Sequence, residues 1–197
     1  MRQSKRIALG AFALALTLLT GCADRPAAAE KHRVTLVAKS TNTEFWKTVF
    51  AGAEAAAAEY NLDLFITGPE TEEDYATQNQ MVAQAVADGT EVLVFSAIDY
   101  EKNASAINDA AAAGVKIVTI DSDVHSDATS TYIGTDNYAA GQQAAAAALK
   151  CEYPHLYVGL VNYDINSANG QERETGVRDT FAPLDNVTVV ESINVAA

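Results

Sequence analysis

The chain has 197 residues, of which 49% are hydrophobic and 20% charged, and its formal net charge at pH 7 is −13. This composition is that of a globular protein with enough apolar residues for one sizeable core. The acidic balance argues against nucleic acid or an anionic membrane surface as a partner, because both require a positively charged protein surface.

The first residues show the pattern of an export signal. Three basic residues within the first six precede the apolar run IALGAFALALTLLT, which is too short for a stable membrane span. Cys22 follows directly after Leu-Thr-Gly, an arrangement that resembles the lipobox of bacterial lipoproteins. We therefore expect residues 1–21 to be a lipoprotein signal peptide, Cys22 to be lipidated and residues 22–32 to form a flexible tether. An ordinary secretory signal with an incidental cysteine is the alternative.

From residue 33 onward, apolar runs of strand length alternate with segments of helical periodicity. The predicted strands are RVTLVAK (33–39), LDLFITG (62–68), EVLVFSA (91–97), VKIVTID (115–121), STYIGTD (130–136), HLYVGLV (155–161) and NVTVVESINV (186–195). The predicted helices cover residues 43–60, 72–88, 102–113, 137–150 and 169–182. Strands that alternate with helices and are apolar on both faces indicate a doubly wound parallel α/β fold.

In such sheets a ligand lies beyond the carboxyl ends of the strands, so the residues that follow each strand are the candidates for a site. Carboxylates and amides there can bond neighbouring hydroxyls of a small polar molecule, while aromatic rings cover the apolar C–H side of a ring. The candidates from the residues themselves are Lys39, Thr43, Phe45, Trp46, Ser96, Asp121 and Ser122.

Each candidate also has a purely structural interpretation. Thr43 has the side chain of a helix N-cap, and Asp121 could serve only to fix its loop. Phe45 and Trp46 are adjacent on a predicted helix and therefore point about 100° apart. Both rings cannot face the core equally, so at least one is expected to face the ligand site.

The motifs of common enzyme classes are missing from the sequence. It contains neither G-x-G-x-x-G, nor G-x-x-x-x-G-K-[ST], nor G-x-S-x-G, and its three histidines lack the spacing of a zinc site. The acidic loop that begins at Asp121 lacks the glycine and the closing acidic residue of an EF-hand. We therefore expect reversible binding rather than catalysis, with no metal and no cofactor.

Several segments, in this order, resemble periplasmic sugar-binding proteins of the ribose-binding type, relatives of the lactose-repressor superfamily. They are VTLVAKSTNTEFWKTVFAGAEAAAAEYNLDL, VLVFSAIDYEKNASAINDAAAAGVKIVTIDSD, YIGTDNYAAGQQAAAAAL and GQERETGVRDTF. The resemblance covers residues 33 to about 193. It implies two doubly wound lobes that close on a ligand, with residues 33–135 in the N-terminal lobe and 136–197 in a partial C-terminal lobe.

The resemblance also implies roles for individual residues. It places the family's ligand-binding aromatics on Phe45 and Trp46, its polar residue after the third strand on Ser96, and its sugar-binding aspartate on Asp121. The ribose-binding pattern has arginines where this sequence has Ser122 and Gln171, and asparagine where it has Ser96. These departures argue against ribose itself, because bidentate arginine contacts would be missing. The crossing between lobes falls at Asp136 and Asn137, which become hinge candidates.

The expected protein is thus an extracytoplasmic, lipid-anchored solute-binding component that captures a sugar or similar polar ligand for an ABC permease. A sensory receptor that presents its ligand to a membrane kinase or chemoreceptor is the alternative. Residues 136–197 hold only part of a second lobe, so we expect the 197-residue chain by itself to bind ligand poorly.

Overall fold

The computed structural model describes residues 31–195. The predicted signal peptide, Cys22 and nearly all of the tether lie outside the described residues. The following account concerns the compact unit His32–Ala197. Among the described residues, no helix has the length and apolar character needed to cross a bilayer.

The described residues alternate between strands and helices as the sequence predicts. The strands are β1 (Arg33–Val37), β2 (Asp63–Thr67), β3 (Val92–Phe95), β4 (Lys116–Ile120), β5 (Thr129–Ile133), β6 (Leu156–Asn162) and β7 (Val187–Asn194). The helices are α1 (Glu44–Glu59), α2 (Tyr75–Ala87), α3 (Ala104–Ala112), α4 (Asn137–Ala148) and α5 (Ala168–Phe181).

Every strand pair in the described chain is parallel. The first five strands form one sheet in the order β2-β1-β3-β4-β5, and β6 pairs with β7 in a second sheet. The strand order reverses direction at β1, which pairs with β2 on one side and β3 on the other. This confirms the predicted doubly wound α/β class and places a switch point at the carboxyl end of β1.

The five-stranded sheet is covered by apolar side chains on both faces because successive strand residues point to opposite sides. Val37 belongs to the cluster that β3, β4, α2 and α3 form around Leu93, Phe95 and Ile117. Its neighbour Leu36 belongs to the opposite cluster, which contains Trp46 of α1. The strands therefore lie within the core.

Four helices begin with a side chain that caps the first turn. Thr43 accepts a hydrogen bond from the Trp46 amide, Asp74 from Thr77, Asp136 from Ala139 and Ser167 from Gly170. Such caps satisfy amide groups that have no partner within the helix. The Asp74 cap also explains why α2 begins at Tyr75, three residues later than predicted.

Gln78 of α2 joins the carboxyl ends of β1 and β3. Its amide nitrogen donates to the carbonyls of Ala38 and Ser96 at 3.0 and 2.8 Å, and its amide oxygen accepts from the Ile98 amide at 3.2 Å. The side chain is fully buried. It therefore satisfies three backbone groups that would otherwise lack partners beneath the sheet edge.

Helices α4 and α5 approach closely through two glycines. A Cβ atom on Gly141 would collide with the backbone carbonyl of Arg173, and one on Gly176 would collide with that of Tyr138. The contact leaves no room for a side chain at either position. This close contact holds the beginning of α4, which follows β5, against α5, which follows β6.

One face of the β6–β7 sheet is exposed in the described part of the chain. Tyr157 and Val161 of β6 retain 72% and 73% of their accessible surface, and Val190 of β7 retains 59%. The second sheet therefore has apolar side chains that no other described residue covers.

We expect Gly176→Ala to lower the free energy of unfolding by about 1–3 kcal/mol, because the added methyl group must displace the backbone of α4. Gly52→Ala is the matched control, since a Cβ atom there meets nothing within 4 Å. It should raise the free energy of unfolding by about 0.5–1 kcal/mol through helix propensity alone. Urea unfolding measures both, and equal shifts for the two variants would contradict close packing at Gly176.

We expect Gln78→Leu to lower the free energy of unfolding by about 3 kcal/mol or more, because three buried backbone groups lose their partner. Gln80→Leu makes the same change at an exposed position of the same helix and should have an effect within about 0.5 kcal/mol. Chemical unfolding monitored by circular dichroism distinguishes the two. A Gln78→Leu variant as stable as Gln80→Leu would show that the three hydrogen bonds contribute little.

Candidate ligand-binding cleft

A cavity of about 700 Å³ opens at the carboxyl ends of strands from both sheets. From the five-stranded sheet, its loops and the first turn of α1 it is lined by Lys39, Thr43, Phe45, Trp46, Glu72 and Asp121. From the region after β6 it is lined by Asn162, Tyr163, Asp164 and Arg173. A volume of this size suits a small organic ligand. We call it the cleft.

The two adjacent aromatic residues line the cleft in different ways. Trp46 is 1% exposed, stacks on Phe50 and also belongs to the core cluster under α1. Phe45 is 55% exposed and meets the Trp46 ring edge-on, with 5.1 Å between the ring centroids. Trp46 therefore serves the core and the cleft wall together, whereas Phe45 offers a largely free ring.

Glu72, from the loop after β2, contacts both the indole of Trp46 and the ammonium of the buried Lys39. One carboxylate oxygen accepts a hydrogen bond from Trp46 Nε1 at 2.8 Å. The other lies 3.8 Å from the ammonium of Lys39, whose side chain is only 4% exposed. A buried ammonium requires such a partner because it has lost most of its hydration.

Asp121 follows β4 and has a left-handed backbone conformation, with φ of 58°. A non-glycine residue in this conformation is strained and must be held by its surroundings. The Ser96 hydroxyl donates to its carboxylate at 3.1 Å, and the Tyr132 hydroxyl donates to its backbone carbonyl at 2.8 Å. Burial raises the pKa of Asp121, while Lys39 and the Ser96 hydrogen bond oppose that rise.

Three of the predicted site residues do not line the cleft. Ser96 lies beneath it, fully buried, and reaches it only through Asp121. Ser122 is also fully buried, and its hydroxyl has no hydrogen-bond partner among residues 31–195. Gln171 is exposed, and its side chain donates to the carbonyl of Ile165 at 2.8 Å.

The cleft also contains residues that were not predicted from the sequence. Arg173 lies two positions beyond Gln171 and points into the cleft from α5. Because it lies within a helix, the rule that site residues follow strands does not predict it. Asn162, Tyr163 and Asp164 stand at the end of β6, where the same rule applied to the second sheet would have found them.

The two hinge candidates have distinct contacts. Asp136 caps α4 and is exposed. Asn137 is 1% exposed; it donates to the Thr135 carbonyl at 3.1 Å and accepts from Arg173 Nε at 2.8 Å. Asn137 thus joins the segment after β5 to the arginine of the cleft. A hinge role for both residues stays a prediction.

The groups in the cleft are suited to a polar ring with hydroxyl groups. Phe45 and Trp46 supply apolar surface, while Asp121, Lys39 and Arg173 supply acceptors and donors. Among residues 31–195, no group of three or more His, Cys, Asp or Glu side chains is placed to hold a metal ion.

Two curated proteins are similar to this chain. The D-ribose/D-allose-binding protein of Pseudomonas aeruginosa is 27% identical over 183 residues, which cover 85% of this chain and 57% of that protein. The D-apiose import binding protein of Paraburkholderia graminis is 26% identical over 194 residues, covering 97% of this chain and 60% of that protein. The chain therefore spans less than two thirds of the length of these relatives.

A solved structure is similar as well. It is a carbohydrate transporter solute binding protein from Agrobacterium radiobacter in complex with D-arabinose. The TM-score is 0.78 at 25% identity, over 84% of this chain and 58% of the other. The chain also matches the family described as periplasmic binding protein domain over residues 34–197. With the parallel two-sheet architecture and a match over most of its length, this chain belongs to the periplasmic binding protein family.

Proposed function

We propose that the protein captures a sugar or a similar small polar ligand outside the cytoplasm for an ABC importer. The observation that carries the proposal is the cleft, which two aromatic residues line together with polar and charged groups from both sheets. Relatives that are named for binding ribose, allose or apiose, and a similar structure in complex with D-arabinose, support a sugar as the ligand.

The side chains of the cleft contribute different kinds of contact to the ligand. The exposed Phe45 ring covers the apolar C–H face of the sugar, since its surface is removed from water on contact, and the buried Trp46 ring supports Phe45 edge-on. Asp121 accepts hydrogen bonds from two neighbouring hydroxyls, and Ser96 holds it in position. Lys39 and Arg173 donate to ring or hydroxyl oxygens.

Lipid attachment through Cys22 is part of the proposal. It would hold the binding protein at the membrane surface, close to a permease. Sensory presentation to a membrane kinase or chemoreceptor would use the same cleft and differ only in the partner. Co-purification of the protein with a permease or with a kinase distinguishes these two roles.

A thermal-shift screen of the protein, at the full length that its gene encodes, tests the ligand class. We expect one or more of D-ribose, D-allose, D-apiose, D-arabinose and D-fucose to raise the melting temperature in a concentration-dependent manner, because a ligand that binds only the folded state stabilises it. Sucrose at the same concentration controls for bulk effects of a polyol. A flat response to all monosaccharides, with a response to nucleosides or amino acids, would contradict a sugar ligand.

Calorimetric titration with the best ligand of that screen tests the cleft residues. We expect Phe45→Ala and Asp121→Asn each to weaken binding about tenfold or more, since stacking and buried hydrogen bonds contribute roughly 1–3 kcal/mol. Phe65→Ala is the matched control, because Phe65 is 59% exposed, like Phe45, but lies on β2 outside the cleft. Unchanged affinity in Phe45→Ala and Asp121→Asn would place the ligand elsewhere.

A further inference from the structure

The cleft contains more acidic than basic side chains. Its two basic groups are Lys39 and Arg173. Its acidic groups are Glu70, Glu72, Glu73, Asp121 and Asp164. Glu70 and Glu73 are exposed at the rim, where water screens their charge. Whether the cleft accepts a charged ligand therefore depends on its less exposed charged side chains.

One of these two basic groups, Lys39, already has a carboxylate beside it. The ammonium of Lys39 lies 3.8 Å from Glu72 Oε2, and the side chains of the pair are 4% and 21% exposed. Arg173 is held instead by the amide oxygen of Asn137, which accepts from its Nε at 2.8 Å. The two positive groups thus share the cleft with three less exposed carboxylates, those of Glu72, Asp121 and Asp164, so the cleft has no excess of positive charge for an incoming anion.

Glu72 is held in the position from which it neutralises Lys39. Its Oε1 atom accepts the hydrogen bond from the indole of Trp46 at 2.8 Å, which leaves Oε2 directed at the lysine. Trp46 is itself fixed by its burial in the core under α1. The carboxylate cannot move away from Lys39 without breaking the hydrogen bond to the indole, so an anionic ligand cannot readily displace it.

We propose that Glu72 sets the charge selectivity of the cleft, so that the cleft takes uncharged sugars and rejects acidic ones such as uronates, aldonates and sugar phosphates. This inference rests on the proposed sugar binding and names the class of sugar. A carboxylate or phosphate that enters the cleft loses hydration and meets the carboxylates of Asp121 and Glu72, while Lys39 is already neutralised by Glu72. A neutral hydroxyl bears no such cost and bonds the same groups.

The variant Glu72→Gln isolates this charge. The amide oxygen of glutamine can still accept the hydrogen bond from the Trp46 indole, so the ring keeps its position, but Lys39 loses its counter-charge. Glu54→Gln is the control, because it removes one negative charge from an exposed position of α1 outside the cleft. Trp46 is the only tryptophan of the chain and reports on the cleft through its fluorescence.

The experiment titrates matched neutral and acidic sugars, for example D-galactose with D-galacturonate and D-ribose with D-ribonate, by calorimetry and Trp46 fluorescence. The full-length protein should bind the neutral member at least about 100-fold more tightly than the acid. Glu72→Gln should reduce that ratio at least tenfold, mainly by strengthening the binding of the acid, and Glu54→Gln should leave it unchanged. Equal affinity for both members in the unmodified protein, or an unchanged ratio in Glu72→Gln, overturns the proposal.

Inorganic phosphate tests the charge selectivity separately from sugar binding. If none of the neutral sugars binds, the proposed function fails, while Trp46 fluorescence still follows a phosphate titration at constant ionic strength. The unmodified protein and Glu54→Gln should then show no saturable change, whereas Glu72→Gln should show one. A saturable phosphate response in the unmodified protein, or none in Glu72→Gln, overturns the role of Glu72.

Discussion

The parallel pairing of β1 with both β2 and β3 is the constraint on which the cleft depends. Parallel neighbours require a crossover between strands, and the crossovers here are helices, so the carboxyl ends of these strands meet at one edge. The loops that carry Lys39, Glu72 and Asp121 are brought together there although they are far apart in the chain. Gln78 reinforces this edge by bonding the backbone at the ends of β1 and β3.

Core packing and the proposed ligand binding share one residue at this edge. Trp46 is buried against Phe50, yet it also lines the cleft and donates to Glu72. The orientation of Glu72, and through it the environment of Lys39, therefore depends on the packing of α1. A rigid wall of this kind suits recognition of a small ligand, because little side-chain freedom remains to be lost on binding.

The cleft is completed by groups whose positions depend on α4 and α5. The close approach at Gly141 and Gly176 sets these helices against each other, and Asn137 at the start of α4 then orients Arg173 of α5. The segment after β6 also reaches the segment after β3, where the Tyr100 amide donates to the Asn166 carbonyl at 2.8 Å. Contacts such as these align the two sides of the cleft.

The sequence alone determined the order and type of the elements, because apolar runs, helical periodicity and caps such as Thr43 act over a few residues. It also indicated the strand-end residues Lys39 and Asp121, since parallel sheets gather strand ends at one edge. Tertiary structure decided which side chains face the cleft. Packing buries Ser96 and Ser122 beneath the cleft and leaves Gln171 outside it. Packing also places Arg173 and Glu72 in the wall of the cleft. Their directions depend on packing between residues distant in the chain, which local patterns do not encode.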